Sequence, residues 1–227
     1  VEIAPGVHQV EGVRGCNVFL LGSDKLALVD TGMAGSVGAI ERYLTRIGRP
    51  REALKLVVVT HCHVDHTWSL AKLRWAQPLL VAAHEAEAPY IDGRLPPLGV
   101  QGSGFVRGIQ RLISSRHRRK SVPVDVSLRD GSHLDFGLDV RVLHTPGHTP
   151  GSISLYLPGP RLLLVGDAIS NRYGRLRLPP RATTVDMDKA RHSVARLAAL
   201  DVEVVCFGHG PTLAWRSSDA LRDLLAR

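Results

Sequence analysis

Residues 60–68 read THCHVDHTW, which places three histidines and an aspartate within six positions. Imidazole and carboxylate are the ligand types that suit zinc, iron or manganese. His61, His63, Asp65 and His66 are therefore candidate metal ligands. A helix would spread them around more than one face. An extended or looped backbone directs alternate side chains to one side, bringing His61, His63 and Asp65 toward a shared point. Three later polar motifs interrupt apolar runs: His148 lies in HTPGHTPGS, Asp167 in LLLVGDAIS and His209 in VVCFGHGPT. Each follows an expected strand and lies beside glycine, which lets the backbone turn or approach closely. Together these segments supply five histidines and two aspartates, enough for two metals sharing one carboxylate.

The elements expected to hold these residues are short strands that stop where the polar motifs begin. LKLVVV, immediately before the first cluster, is a β-branched apolar run that predicts a buried strand. Ligands in α/β proteins collect outside the carboxyl ends of such strands. Residues 7–10, 16–21 and 26–29 predict a meander, followed by a helix over 36–47 that Gly48 ends. A short helix is expected over 68–75 and a strand over 78–83. The second half predicts strands over 138–143, 152–157, 162–165 and 202–207, with helices over 186–200 and 217–226. Both halves thus run strands-then-helix, which predicts two related halves with facing sheets and outer helices. Residues 90–125, rich in Gly, Pro and Arg, interrupt the pattern as an insertion between the halves. Phe105, Val106, Ile109, Leu112 and Ile113 recur there at near-helical spacing, which predicts either a lid over the cleft or a solubilising surface helix away from it.

The 227 residues suffice for one domain spanning 1–227, with 44% hydrophobic and 22% charged composition. No run approaches the ~20 apolar residues that cross a bilayer, and no secretory pattern is visible at the start. Cys16, Cys62 and Cys206 are odd in number and far apart, against a disulfide scaffold and in favour of a cytoplasmic setting. Cys62 is expected to be a small apolar filler pointing away from the ligands. The net charge of +8 is concentrated in residues 94–120, which hold seven basic residues and no acidic one. A solvated basic face accounts for that excess without nucleic acid as a partner.

HCHVDH resembles the HxHxDH signature of the metallo-β-lactamase superfamily, and His148, Asp167 and His209 match its later motifs in order. The resemblance runs over roughly residues 7–211. It implies an αββα four-layer sandwich of two facing mixed sheets, with metals in a cleft at one edge. By the family pattern His61, His63 and His148 hold one metal, Asp65, His66 and His209 hold a second, and Asp167 bridges them. LVDTG matches an early family motif whose aspartate, here Asp30, orients a ligand from behind.

Such a site implies two divalent ions, zinc first, with iron or manganese as alternatives. A metal-bridging hydroxide formed near neutral pH would attack the substrate, with Asp65 as the catalytic residue that orients it or moves its proton. The expected substrate is a small molecule: an ester, lactone or thioester. Asp167 argues against antibiotic hydrolysis, since true β-lactamases of the family usually lack aspartate there. Glyoxalase II-like thioesterases share all seven positions but usually add a helical glutathione-binding domain, whereas this chain runs 18 residues past His209. Family lactonases often carry a tyrosine soon after the bridging aspartate, and Tyr173 lies near that place. The alternative from another reaction class is a mononuclear iron persulfide dioxygenase, whose branch has a similar THCHxDH stretch. A nuclease or a metal-binding sensor ranks below both.

Overall fold

The computed structural model describes residues 1–98, 121–214 and 217–225. The expected lid falls mainly on residues 99–120, Phe105 through Ile113 included, and to that extent lies outside the described residues. Its flanks are partly buried: Ile91 and Val122, with Leu98 and Val124 against them, join the core beneath the first sheet's outer face.

Among the described residues, fourteen strands form two large sheets and one hairpin. The first sheet takes β1 (Glu2–Ala4), β2 (Val7–Gln9), β3 (Phe19–Gly22), β4 (Leu26–Val29), β5 (Leu54–Val59), β6 (Leu80–His84) and β7 (Val126–Leu128) in chain order. Its first four strands are antiparallel, and β4 through β7 run parallel. The second sheet includes β8 (His133–Asp135), β9 (Asp139–His144), β10 (Ile153–Leu157) and β11 (Leu162–Leu164). It is completed by β14 (Val204–Cys206), which pairs parallel to β11. Strands β12 (Ser170–Arg172) and β13 (Arg175–Arg177) form the hairpin. The α-helices among the described residues are α1 (Ser36–Arg46), α2 (Val64–Thr67), α3 (Leu70–Ala76), α4 (Ala88–Ile91), α5 (Met187–Ala198) and α6 (Ser217–Leu225).

The period-two geometry of a strand sorts its residues between two faces. Ala27, Val29, Leu56 and Val58 pack between the sheets against Val140, Val142, Leu155 and Leu164. Their chain neighbours Leu26, Leu28, Val57 and Val59 turn the other way onto Ile40 and Leu44 of α1 and Leu70 and Leu73 of α3. On the far side, Leu163 and Val205 meet Val194 and Leu197 of α5 and Leu221 of α6. Strands buried on both faces are apolar throughout, which is why LKLVVV shows no alternation over its last four residues. The result is the four-layer αββα sandwich.

Two local expectations are corrected. The ligand cluster is extended only through His63 (φ −63°, ψ 149°), after which residues 64–67 close a helical turn, so Asp65 and His66 leave the line set by His61 and His63. The hairpin after Asp167 was not expected. Its residues are polar, and its two-residue turn uses Tyr173 (φ 54°) and Gly174 (φ 77°), both left-handed, in place of the usual Asn-Gly signal.

A buried carboxylate ties the two halves together at the site's edge. Glu87, before α4, is fully buried. Its Oε2 accepts from the Cys62 amide at 2.7 Å and its Oε1 from the Gly151 amide at 2.6 Å. One side chain therefore fixes both the loop between His61 and His63 and the loop that follows His148. Gly151 must lack a side chain, because a Cβ there would lie 2.8 Å from Glu87 Cγ. Glu87→Ala leaves two buried amides without acceptors and is expected to cost about 2–5 kcal/mol. Glu87→Gln, which keeps one good acceptor, should cost less. Urea unfolding of the three proteins checks the order; equal midpoints for all three would show that the clamp bears no load.

Candidate metal centre

Asp30 follows β4, the first cluster follows β5, His148 follows β9, Asp167 follows β11 and His209 follows β14. All these residues thus stand at carboxyl ends of strands, along one edge of the paired sheets. Backbone bonds weld that edge across the halves: the Ile153 amide donates to Thr60 O at 3.0 Å and the Asn17 amide to Gly208 O at 2.7 Å.

The seven candidate ligands converge. His61, His63 and His148 form one triad and Asp65, His66 and His209 another, each with its ligand atoms within 4.8 Å of one another. Asp167 stands between them. Its Oδ2 lies 3.9 Å from His61 Nε2 and 3.6 Å from His148 Nε2, while its Oδ1 lies 3.5 Å from His66 Nε2. His209 Nε2 is 3.1 Å from Asp65 Oδ2 and 3.3 Å from Asp167 Oδ2. Asp65 therefore belongs with His66 and His209, not with the His61–His63 pair that alternation alone suggested.

Imidazoles have two nitrogens, and here the outward one is spoken for. His66 Nδ1 lies 2.7 Å from Asp30 Oδ2, His61 Nδ1 lies 3.1 Å from Thr60 Oγ1, and His148 Nδ1 lies 3.4 Å from Thr184 Oγ1. Each partner sets the ring's orientation and leaves Nε2 facing inward. The Nε2 atoms of His61, His66 and His148 and the Oδ1 of Asp167 are buried without a hydrogen-bond partner. Buried polar atoms are nearly always paired, and four orphans among facing ligand-type atoms are what a bound cation would satisfy. The donor set of imidazole nitrogens and carboxylate oxygens fits zinc, iron or manganese.

The electrostatics of the first triad suit that role. Burial, reinforced by neighbouring imidazoles, pushes His61 well below the ordinary histidine range, lowers His63, and takes His148 down to about 3. These three rings are neutral at pH 7 and keep their lone pairs. Bonds to Asp167 and Asp65 raise His209 to about 9. Burial opposes the charged form of His66, but Cys16, Asp30 and Asp167 outweigh it and hold the ring well above its usual range. Burial likewise opposes ionisation of Asp167 and Asp65, yet His66 and His209 keep both carboxyls below the ordinary value.

Several residues that shape the site carried no signal of their own. Thr184 reaches His148 from 36 residues away, Glu87 holds the loops beside the ligands, and Thr60 turns its neighbour His61 while bonded to the distant Asp30. Gly208 is required by contact, since a Cβ there would fall 2.2 Å from Asp167 Oδ1 and 3.0 Å from His66 Cε1; its place beside His209 was the only clue. Cys62 sits in the outer core of the first sheet, and burial pushes its thiol well up, as befits a filler. Tyr173 is fully exposed at the hairpin tip, away from any packed position.

The sequence profile described as Metallo-beta-lactamase superfamily matches residues 12–209. The chain is 31% identical to the Probable metallo-hydrolase YflN of Bacillus subtilis, over 92% of this chain and 85% of that protein. It is 29% identical to a Hydroxyacylglutathione hydrolase of Brucella canis, over 89% of this chain and 68% of the relative. Among solved structures, a metallo-beta-lactamase family protein from Thermus thermophilus superposes with a TM-score of 0.72 at 26% identity, covering 99% of this chain and 79% of the other. With the four-layer fold and the His/Asp cluster at its edge, these matches place the chain in the metallo-β-lactamase superfamily.

Proposed function

We propose that the protein is a dinuclear metal-dependent hydrolase, zinc being the first candidate, that cleaves a small ester, lactone or thioester. The observation that carries this reading is the pair of ligand triads, with Asp167 between them and inward nitrogens left unpaired. Two triads that share no residue, linked by the His61–His66–Asp167 grouping, have enough donors for two ions, against the single iron of a dioxygenase. His61, His63 and His148 would hold one ion, Asp65, His66 and His209 the other, and Asp167 both. Bound there, such ions supply an activated water near neutral pH and withdraw charge from a substrate carbonyl.

The protein's own groups have separable tasks. Asp30 and Thr60 orient the rings of His66 and His61, so the ligand geometry is set before substrate arrives. Asp65 is the more accessible of the two ionised carboxylates, with 30% of its side chain exposed against 15% for Asp167. It can therefore accept a proton at Oδ2, or hold one between itself and His209, 3.1 Å away. Asp167, mostly buried, is left to a holding role. The likeness to a hydroxyacylglutathione hydrolase supports an acyl substrate such as a thioester.

A panel of esters, lactones, thioesters, phosphodiesters and β-lactams, run with metal-loaded protein, tests the reading. Expected is a kcat/KM for at least one of the first three classes roughly a hundredfold above the last two. Turnover confined to phosphodiesters, or found only as oxygen consumption with a persulfide, would sink it. Asp65→Asn preserves shape but removes the charge and the proton acceptor. Turnover is expected to fall about 10²–10⁴-fold, more than substrate affinity does. Wild-type turnover in that variant would demand another proton acceptor. Asp167→Ser replaces a carboxylate shared by both triads with a poor ligand. Dialysis against a chelator should strip both sites from the folded variant at concentrations the parent withstands; retention of two ions would show that the bridge is wrongly placed.

A further inference from the structure

Beyond the metal centre, the hairpin after Asp167 builds a basic pocket. Between Asp167 and Asp186 the chain carries Arg172, Arg175, Arg177 and Arg181 and no acidic residue. The strand register puts Ser170, Arg172, Arg175 and Arg177 on one face, because Ser170 pairs with Arg177 and Arg172 with Arg175. The other face is anchored. Asn171 is buried and donates to Pro211 O at 2.8 Å, its amide donates to His209 O at 3.2 Å, and Leu176 packs toward α5 and α6. The guanidinium groups are thus displayed on a fixed platform.

Arg172, Arg175 and Arg177 join Arg191 of α5 around a cavity of about 520 Å³, within the size range of small-molecule sites. Leu176, Leu178, Pro180 and Leu224 supply its apolar wall, and among the described residues no carboxylate lines it. Of the described arginines outside the pocket, Arg46, Arg49, Arg51, Arg74, Arg94, Arg129, Arg141, Arg161, Arg196 and Arg222 each face a carboxylate in an ion pair, and Arg14, Arg42 and Arg181 do not. Asp186, which precedes α5, caps that helix and pairs with Lys189. Four cationic residues border this cavity, and a bound anion would gain from all of them. Guanidinium forks match phosphate oxygens in pairs.

We infer that this pocket binds a small molecule carrying two or more phosphate groups and an apolar body. Phosphates engage the Arg172, Arg175, Arg177 and Arg191 side, and the body lies on Leu176, Leu178 and Leu224. None of the seven metal-site residues lines the pocket, so the inference stands apart from the hydrolytic reading.

Adenosine 3′,5′-bisphosphate is the probe, titrated calorimetrically into metal-loaded protein at low salt, with adenosine and a single-stranded oligonucleotide as comparisons. Saturable binding of the bisphosphate is expected, with affinity falling as salt rises and no binding of adenosine. The Arg175→Gln/Arg191→Gln variant should bind at least about tenfold more weakly, two charge-assisted contacts being lost, with an unchanged melting temperature. Arg42→Gln, on the distant α1, should bind as the parent does. Absence of saturable binding, or full affinity in the double variant, overturns the inference. So does adenosine binding as well as the bisphosphate. Much tighter oligonucleotide binding through the same arginines would also overturn it, reassigning the face to nucleic acid.

Discussion

The site depends first on how one buried carboxylate is spent. Asp30 takes a left-handed backbone (φ 61°) at the end of β4, a conformation uncommon outside glycine but tolerated by aspartate. Its Oδ1 accepts from the Thr60 amide at 2.8 Å, and its Oδ2 from Thr60 Oγ1 at 2.7 Å and toward His66 Nδ1 at 2.7 Å. Thr60 Oγ1 in turn faces His61 Nδ1. Two rings, one from each triad, are therefore oriented from a single anchor that also pins β4 to β5. Strain at Asp30 is offset by three charge-assisted bonds, each stronger than an ordinary hydrogen bond.

What that anchor makes possible is otherwise unfavourable. Five imidazoles and two carboxylates are crowded together, with several inward atoms unpaired and others held charged by their neighbours. A fold selected only for stability would fill the space with apolar groups, because half-satisfied polar clusters cost more than they return. The three cores surrounding the cleft supply the stability the cleft lacks. Glu87 and the cross-half backbone bonds then hold the loops in place, so the ligand atoms face one another rather than solvent.

The central strands and long helices were legible because burial acts locally. A β-branched run such as LKLVVV has few alternatives to a buried strand, and the apolar stripe of α1 repeats at helical spacing. The ligand cluster was legible as a set, though not in its grouping: the helical turn at 64–67 redirects Asp65, and nothing in HCHVDH marks where extension gives way to helix. Glu87 was invisible for a different reason. Its partners lie 25 and 64 residues away, and the contact exists only once the halves have packed. The hairpin over residues 170–177 carries no apolar strand pattern because its sequence is polar. It is secured by Asn171 and Leu176 against distant segments, not by its own propensity. The lid expectation falls mainly on residues beyond those described.

The central claim is that seven side chains form two metal sites sharing Asp167. Metal stoichiometry tests it most directly. Protein stripped with chelator, reloaded with zinc and passed through a desalting column should retain two ions per chain by elemental analysis. Retention of none, or of a single iron in preference to any zinc, would contradict the account.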